Sequence, residues 1–392
     1  MLYKIFDSKE KGFKLSYFIL IICVLFLFFV PTSNDGMRIL QVYRYLVAII
    51  ISTLILWRNE VNIKNMLLIL VLIGILLFFS LTSLFHPQAE FSIVVMFNYI
   101  SIMLVTTIVL KENTYLRKYE MIFNICNILI IVWGILIILD IEVIKNFTSQ
   151  YYNQFYDDAL YYSMIKNKPV TSFGVHSVAS IYYTLMFFLN YFTYKRKNNK
   201  KNINLIFCFL YTIITFLLKS NTSIICSVIM FIYMLSIDKN IFYKVIFIFL
   251  LISTMFLLLN AELIEYYISA ITSKVNGFGA RYNSSLFNGN KEFIKQYFAL
   301  GFNVLQGEHN LHYTDSGVYT YLLRGNFLFV IGFYWMLYNF LTKNLKFVYA
   351  ITLFCFIIAV EIGYPILLDF RFTFCLLIIV IHFKQLNFMD NY

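Results

Sequence analysis

One property limits the fold of this chain more than any other: apolar runs of bilayer length follow one another almost from end to end. A membrane-crossing helix needs about 20 mostly apolar residues, with about 17 as a working minimum. On that rule twelve segments qualify: 15–30, 39–57, 66–84, 92–110, 121–139, 177–194, 203–218, 223–237, 241–259, 326–342, 347–363 and 372–383. The seventh, eighth and twelfth are the short ones. Hydrophobic side chains make up 61% of the 392 residues and charged ones 13%, about half the charge of an average soluble domain. A soluble fold cannot bury so much apolar surface, whereas a lipid-facing one need not. The expectation is an all-α polytopic membrane protein of about 12 transmembrane helices, forming a single integral membrane domain over 1–392.

The charges then set the orientation. A formal net charge of +11 does not by itself call for nucleic acid, because cytoplasmic loops of membrane proteins carry excess Lys and Arg. With the N-terminus inside, the cytoplasmic segments hold 18 Lys and Arg, among them Lys9, Lys11, Lys14, Lys111, Arg117, Lys118 and the run Lys195-Arg196-Lys197. The short outer loops hold only Arg38, Lys219 and Arg371. This bias places both termini in the cytoplasm. The basic start, Met1 to Lys14, leads into Leu15–Val30 without a small-residue cleavage site after it, which reads as an uncleaved first span. All six cysteines sit inside apolar runs and none forms a CxxC pair. They read as core thiols rather than as disulfides or zinc ligands.

Two outer segments, 140–176 and 260–325, are too long to be mere connections; loops beyond about 15 residues are usually functional or disordered. Both are rich in Tyr, Phe and Asn, as in Tyr151-Tyr152-Asn153-Gln154-Phe155-Tyr156, and are suited to packing as caps on the membrane domain. That puts the working face outside the cytoplasm.

Arginine usage points the same way. Of eight arginines, Arg58, Arg117 and Arg196 are cytoplasmic, while Arg38, Arg44, Arg281, Arg324 and Arg371 lie on or near the outer face. There the positive-inside rule disfavours them. Arginine presents a planar fork that grips phosphate bidentately and stays charged, so the outer cluster points to an anionic ligand such as a lipid-linked phosphate or pyrophosphate. For Arg44, one to two turns inside the second span, snorkelling to the headgroups is the competing explanation. His86, His176, His309 and His312 are also outside, as are all four prolines and the acidic Asp315, Glu361 and Asp369. Cations, imidazoles and a carboxylate in one cleft can support acid–base chemistry on an anionic substrate.

Three stretches resemble the bacterial polysaccharide polymerases of the Wzy type and the related O-antigen ligases. The first is Lys168-Pro169-Val170-Thr171-Ser172-Phe173-Gly174-Val175-His176-Ser177, which closes the first long loop and runs into a span. The second is Leu217-Leu218-Lys219-Ser220-Asn221-Thr222-Ser223, similar to the family's polar turn between spans, with Asn221 where a cation is usual. The third runs from Gly279-Ala280-Arg281 through Ala299-Leu300-Gly301-Phe302 and Thr314-Asp315-Ser316-Gly317-Val318-Tyr319 to Leu322-Leu323-Arg324-Gly325. It is the most specific of the three. The resemblance covers about residues 160–340.

The resemblance implies transfer of a growing glycan from undecaprenyl pyrophosphate to a sugar hydroxyl on another lipid-linked repeat unit. This happens on the outer face of the bacterial cytoplasmic membrane, in building O-antigen, capsule or exopolysaccharide. Undecaprenyl-pyrophosphate-linked oligosaccharides, the lipid bilayer and a chain-length regulator are the partners it implies. A departing pyrophosphate needs positive charge, which fixed cations in a low-dielectric cleft supply without a metal. No Asp-x-Asp occurs on the outer face, so no metal or cofactor is expected. Arg281 is then the first choice at the pyrophosphate, with Arg324, Arg44, Arg38 and Lys168 as companions. Asp315, His312 and His309 are the candidates to take the acceptor proton, and His176 and Ser316 the candidates to hold substrate. An O-antigen ligase would place a His-Asn pair where Asp315-Ser316 falls, and His309-Asn310 lies six residues too early for that register. A lipid-linked oligosaccharide flippase would have symmetric halves and short loops. Both remain as alternatives.

Overall fold

The computed structural model describes residues 60–110, 119–153, 169–197, 203–235, 297–305 and 316–389. In chain order these form β1 (Glu60–Val61), α1 (Ile63–Ser83), β2 (Ala89–Phe91), α2 (Ile93–Val105), β3 (Ile108–Val109), α3 (Tyr119–Ile138) and α4 (Glu142–Asn153). Then come β4 (Val170–Thr171), β5 (Gly174–Val175), α5 (His176–Lys197), α6 (Ile203–Leu217) and α7 (Asn221–Leu235). The last group is β6 (Asn303–Leu305), α8 (Gly317–Asn344), α9 (Phe347–Glu361), a 3-10 turn (Ile366–Leu368) and α10 (Phe370–Met389).

The described chain is mostly helical, as the apolar runs predict. Three of the expected spans, 15–30, 39–57 and 241–259, lie outside the described residues. Each of the other nine coincides with a helix. By length and composition, one described helix, Ile63–Ser83, is able to cross a bilayer alone. Asn124–Ile138 and Glu142–Thr148 would do so only as a pair bent by 113°. The other purely apolar helices are shorter, so the described helices establish a helical fold and not a count of twelve crossings. The two long segments expected outside, 140–176 and 260–325, also hold regular structure. The first contains α4 and the β4–β5 hairpin, and the second ends in helix from Gly317 rather than in loop to residue 325.

The chain divides into two compact units, the first built from 1–45, 114–275 and 389–392, the second from 46–113 and 276–388. In the first unit α5 is the central helix: every residue from Ala179 to Thr193 is buried, and α5 packs on α6 and α7 while α6 also packs on α3. Its Asn190 is paired across helices. The amides of Asn127 and Asn190 donate to each other at 3.1 and 2.9 Å, and the Tyr211 hydroxyl donates to Asn127 Oδ1 at 2.8 Å. A fully satisfied network of this kind fixes helix register in apolar surroundings. The hairpin reverses through Ser172-Phe173, with Gly174 at φ 90° and the Phe173 ring stacked 4.5 Å from Tyr182. Between α6 and α7 the chain turns at Lys219 (φ 52°). There Ser220 N–H donates to Ser223 Oγ at 3.1 Å and Ser223 N–H to Ser220 Oγ at 3.0 Å, a reciprocal cap that starts α7.

In the second unit α8 packs on α1 and α9. Two sets of helix ends are tied separately. At one end Lys343 Nζ donates to Asn62 Oδ1 (2.8 Å), Asn65 donates to the carbonyl of Thr106 (2.8 Å) and Asn344 donates to that of Ile108 (2.9 Å). At the other end β2 pairs with β6, and Ser80 and Ser83 of α1 bind the 300–303 backbone. The segments that lysine distribution assigns to the cytoplasm meet at the first end, and those it assigns to the outside meet at the second. Apolar side chains also cover much of the exposed helix surface: Leu67, Leu70, Phe78 and Leu81 on α1, and Phe327, Leu328, Ile331 and Trp335 on α8.

Candidate functional site

The second unit contains a broken helix, and the candidate site is built around the break. α8 is interrupted at Gly325 (φ −148°, ψ 21°) and Asn326 (φ 60°, ψ −170°). The second conformation is one that side chains rarely adopt. Glycine at 325 is required by space, because an added Cβ would lie 2.4 Å from that of Phe329. Breaking a helix strips the preceding carbonyls of their partners. Here the 299–305 segment supplies new ones: Leu300 N–H donates to the Leu323 carbonyl and Gly301 N–H to that of Arg324, both at 2.8 Å. On its other side the segment is held by α1, where Ser80 Oγ accepts Phe302 N–H (2.7 Å) and Ser83 Oγ donates to the Leu300 carbonyl (3.0 Å). Gly301 sits at φ 60°, and an added Cβ would lie 2.2 Å from the Leu76 carbonyl oxygen.

Arg324 is the last residue before the break and is 3% exposed. Its Nη1 donates to the carbonyls of Gly301 (3.2 Å) and Asn303. Its Nε has no hydrogen-bond partner, and among the described residues it forms no ion pair. Tyr99 of α2 lies beside the guanidinium; its hydroxyl, also buried, is likewise without a hydrogen bond of acceptable geometry. The phenol oxygen is the guanidinium's neighbouring acceptor, but neither group's hydrogen-bonding capacity is met with good geometry, which is costly at a buried point.

The other half of the site is a carboxylate. Glu361 ends α9 and is fully buried. Its Oε1 accepts Leu367 N–H at 2.7 Å and the Tyr321 hydroxyl at 3.2 Å, and the Tyr334 hydroxyl approaches Oε2 at 3.5 Å. Gly317 makes room for it, since a Cβ there would lie 1.6 Å from Glu361 Oε2. Ser316 caps α8, accepting Tyr319 N–H at 3.4 Å, and its Oγ is 3.5 Å from the Glu361 carbonyl oxygen. Tyr321, at the centre, meets Tyr99 edge-on at 6.4 Å and Phe333 at 4.9 Å. A guanidinium and a carboxyl group thus stand at opposite ends of an aromatic array, with no hydrogen bond or ion pair between them.

Of the residues singled out from sequence, Arg324 and Ser316 stand at the two ends of the first half of α8. His176 opens α5 in the other unit. Arg281, Asp315, His312, His309, Arg44, Arg38 and Lys168 lie outside the described residues. Of the five described cysteines, Cys126, Cys208, Cys226 and Cys375 are buried, as expected of core thiols; Cys355 is exposed on the apolar helix α9. No group of three or more His, Cys, Asp or Glu side chains converges on a metal-sized point among the described residues. In the sequence Glu361 stands out only as one of the outer-face acidic groups, without a specific site role, and Tyr99, Tyr321 and Tyr334 are not distinguished from the other tyrosines. The available signal was Glu361 itself, a carboxylate inside an apolar helix. The chain matches no family model, and no curated protein or solved structure matches it.

Proposed function

We propose that the chain is a membrane-embedded glycosyltransferase that joins undecaprenyl-pyrophosphate-linked oligosaccharide repeat units on the outer face of the bacterial cytoplasmic membrane, without a metal. The observation that carries this reading is Arg324: a buried guanidinium with no carboxylate partner among the described residues and an Nε without a hydrogen bond, placed at the broken end of a helix. Irregular backbone at membrane depth is tolerated where it is enclosed in protein or lines a cavity, and an unneutralised arginine there is suited to an anionic substrate. The apolar faces of α1 and α8, and the two separately tied sets of helix ends, fit a chain that crosses a bilayer in alternating directions.

In this mechanism the bond from the sugar anomeric carbon to the pyrophosphate oxygen breaks, and a new bond forms to the acceptor hydroxyl oxygen. The hydroxyl proton passes to a carboxylate or imidazole of the outer face, with Asp315, His312 and His309 as candidates. The leaving pyrophosphate is held by arginine. The test is to reconstitute the purified chain with lipid-linked repeat units and resolve the products. A ladder of increasing length is expected. Transfer of preformed glycan to a lipid A-core acceptor would mark a ligase, and movement of the units across the bilayer without consumption would mark a flippase.

A further inference from the structure

We infer that Tyr99 is a ligand of the same anion as Arg324, so that a phosphate oxygen is held jointly by a phenol on α2 and a guanidinium on α8. The inference rests on the pyrophosphate-substrate reading above and adds to it a residue from a helix that no sequence motif touches. Both groups are almost fully buried, they lie close enough to interact with each other, and neither Tyr99 Oη nor Arg324 Nε completes a hydrogen bond of acceptable geometry, with the other or with any other group. Among the described residues, neither atom is taken up by another side chain. The Tyr99 ring packs edge-on against Tyr321 and Phe329 at 6.4 and 5.7 Å, and the nearest carboxylate cluster, around Glu361, is already occupied by Tyr321, Tyr334 and Leu367 N–H.

The two arginine edges are used differently. Nη1 is committed to the Gly301 and Asn303 carbonyls, which fixes the guanidinium plane. That leaves Nε as a donor set in place but unspent. Buried donors are ordinarily satisfied, and a donor pair formed by one N–H and one O–H matches a single anionic oxygen. Phosphate chemistry supplies such an oxygen and, as the leaving group of the proposed reaction, carries the charge that a guanidinium binds best. The oxygen has three possible sources: the undecaprenyl pyrophosphate, free pyrophosphate after release, or a bilayer phospholipid headgroup.

The experiment measures binding of undecaprenyl pyrophosphate to the full chain in nanodiscs, with inorganic pyrophosphate and nanodiscs enriched in phosphatidylglycerol as separate arms. Tyr99→Phe keeps the ring and removes only the donor. Weakening of undecaprenyl pyrophosphate binding by about tenfold is expected, the usual effect of losing one hydrogen bond to a charged acceptor, with an unchanged melting temperature. A parallel loss in the inorganic pyrophosphate arm identifies the headgroup as sufficient. A loss that appears only on titrating phosphatidylglycerol assigns the shared oxygen to a bilayer headgroup and overturns its assignment to the pyrophosphate. Equal binding by Tyr99→Phe and the unaltered chain overturns it too. If the phenylalanine variant fails to accumulate, 3-fluorotyrosine placed at 99 preserves ring and hydroxyl. Its fluorine resonance should move on adding undecaprenyl pyrophosphate, and an unmoved resonance overturns the inference. Polymerisation by a chain that shows no Tyr99-dependent binding would sink the inference and leave the polymerase reading intact. Tyr99-dependent binding without any glycan transfer would do the reverse.

Discussion

Arg324 and Gly301 hold each other in both directions: the guanidinium of Arg324 donates to the Gly301 carbonyl at 3.2 Å, and Gly301 N–H donates to the Arg324 carbonyl at 2.8 Å. The clamp joins the end of a half-helix to a segment 23 residues earlier. It gives Arg324 two separable roles. One edge of the side chain organises the protein, and the other carries an Nε without a hydrogen-bond partner.

Gly301 is the part of the clamp most sensitive to substitution. Its φ of 60° is unfavourable for any side chain, and the space a Cβ would need is occupied by Leu76 O and Ser80 Oγ at 2.2 and 2.3 Å. Gly301→Ala should therefore cost about 3 kcal/mol, from backbone strain and overpacking together. The measurement is the melting temperature in detergent, followed by fluorescence-detected size exclusion. An alanine variant that melts with the unaltered chain would show that the 299–305 segment does not sit between α1 and α8 as described.

Gly317 and Glu361 should behave as a coupled pair. Gly317→Ala places a methyl where Glu361 Oε2 now sits, and Glu361→Ala strips acceptors from Tyr321 and Leu367 N–H. Each single change is expected to cost about 2–3 kcal/mol. The double variant should cost less than the sum by at least about 1 kcal/mol, because removing the carboxylate frees the space that the methyl needs. Strictly additive losses would mean the two residues do not touch.

These two glycines also show what was legible in advance. The order Asp315-Ser316-Gly317, then Arg324-Gly325, stood out in the sequence, and the structure gives physical reasons for most of it. Ser316 caps α8, Gly317 admits Glu361, and Gly325 breaks the helix. The position of the break was not legible. Gly317–Arg324 is too rich in Tyr, Thr and Arg to pass an apolar-run test, so the sequence boundary fell at 325 although the helix begins at 317. Tyr99 and Tyr321 were hidden for another reason. Aromatics make up 20% of the chain, and only tertiary packing distinguishes one tyrosine from the other thirty. Helix positions were the easiest part, because bilayer-length apolar runs leave the backbone little alternative.

The orientation can be tested at described residues. Lys145, on α4, is expected outside, and Lys346, between α8 and α9, inside; both are at least partly exposed. Cysteine at 145 should react with a membrane-impermeant maleimide in intact cells, and cysteine at 346 only after permeabilisation. Labelling of 346 in intact cells would invert the assignment and remove the argument for an outer-face site.

Arg324 and Arg281 should differ in how they fail. Arg324 supports the fold through Gly301 and Asn303, so Arg324→Ala is expected to lose abundance along with activity. Arg324→Lys keeps the charge but cannot span both carbonyls and still present Nε to a ligand. It should accumulate at reduced level and polymerise at roughly one-hundredth of the normal rate, the usual consequence of losing one charge-stabilising contact in a transition state. Arg281 lies outside the described residues, on a segment that the lysine distribution assigns to the outside, where positive charge is disfavoured. If it grips the departing pyrophosphate, Arg281→Ala should abolish the ladder at unchanged abundance, and Arg281→Lys should retain a fraction. A loop-ordering ion pair to Glu308 or Asp315 would instead make Arg281→Ala lose abundance and activity together. Measuring protein level and product ladder on the same cells separates the cases. Normal ladders from a normally expressed Arg281→Ala chain would leave Arg324 as the sole arginine with a claim on the pyrophosphate among those tested.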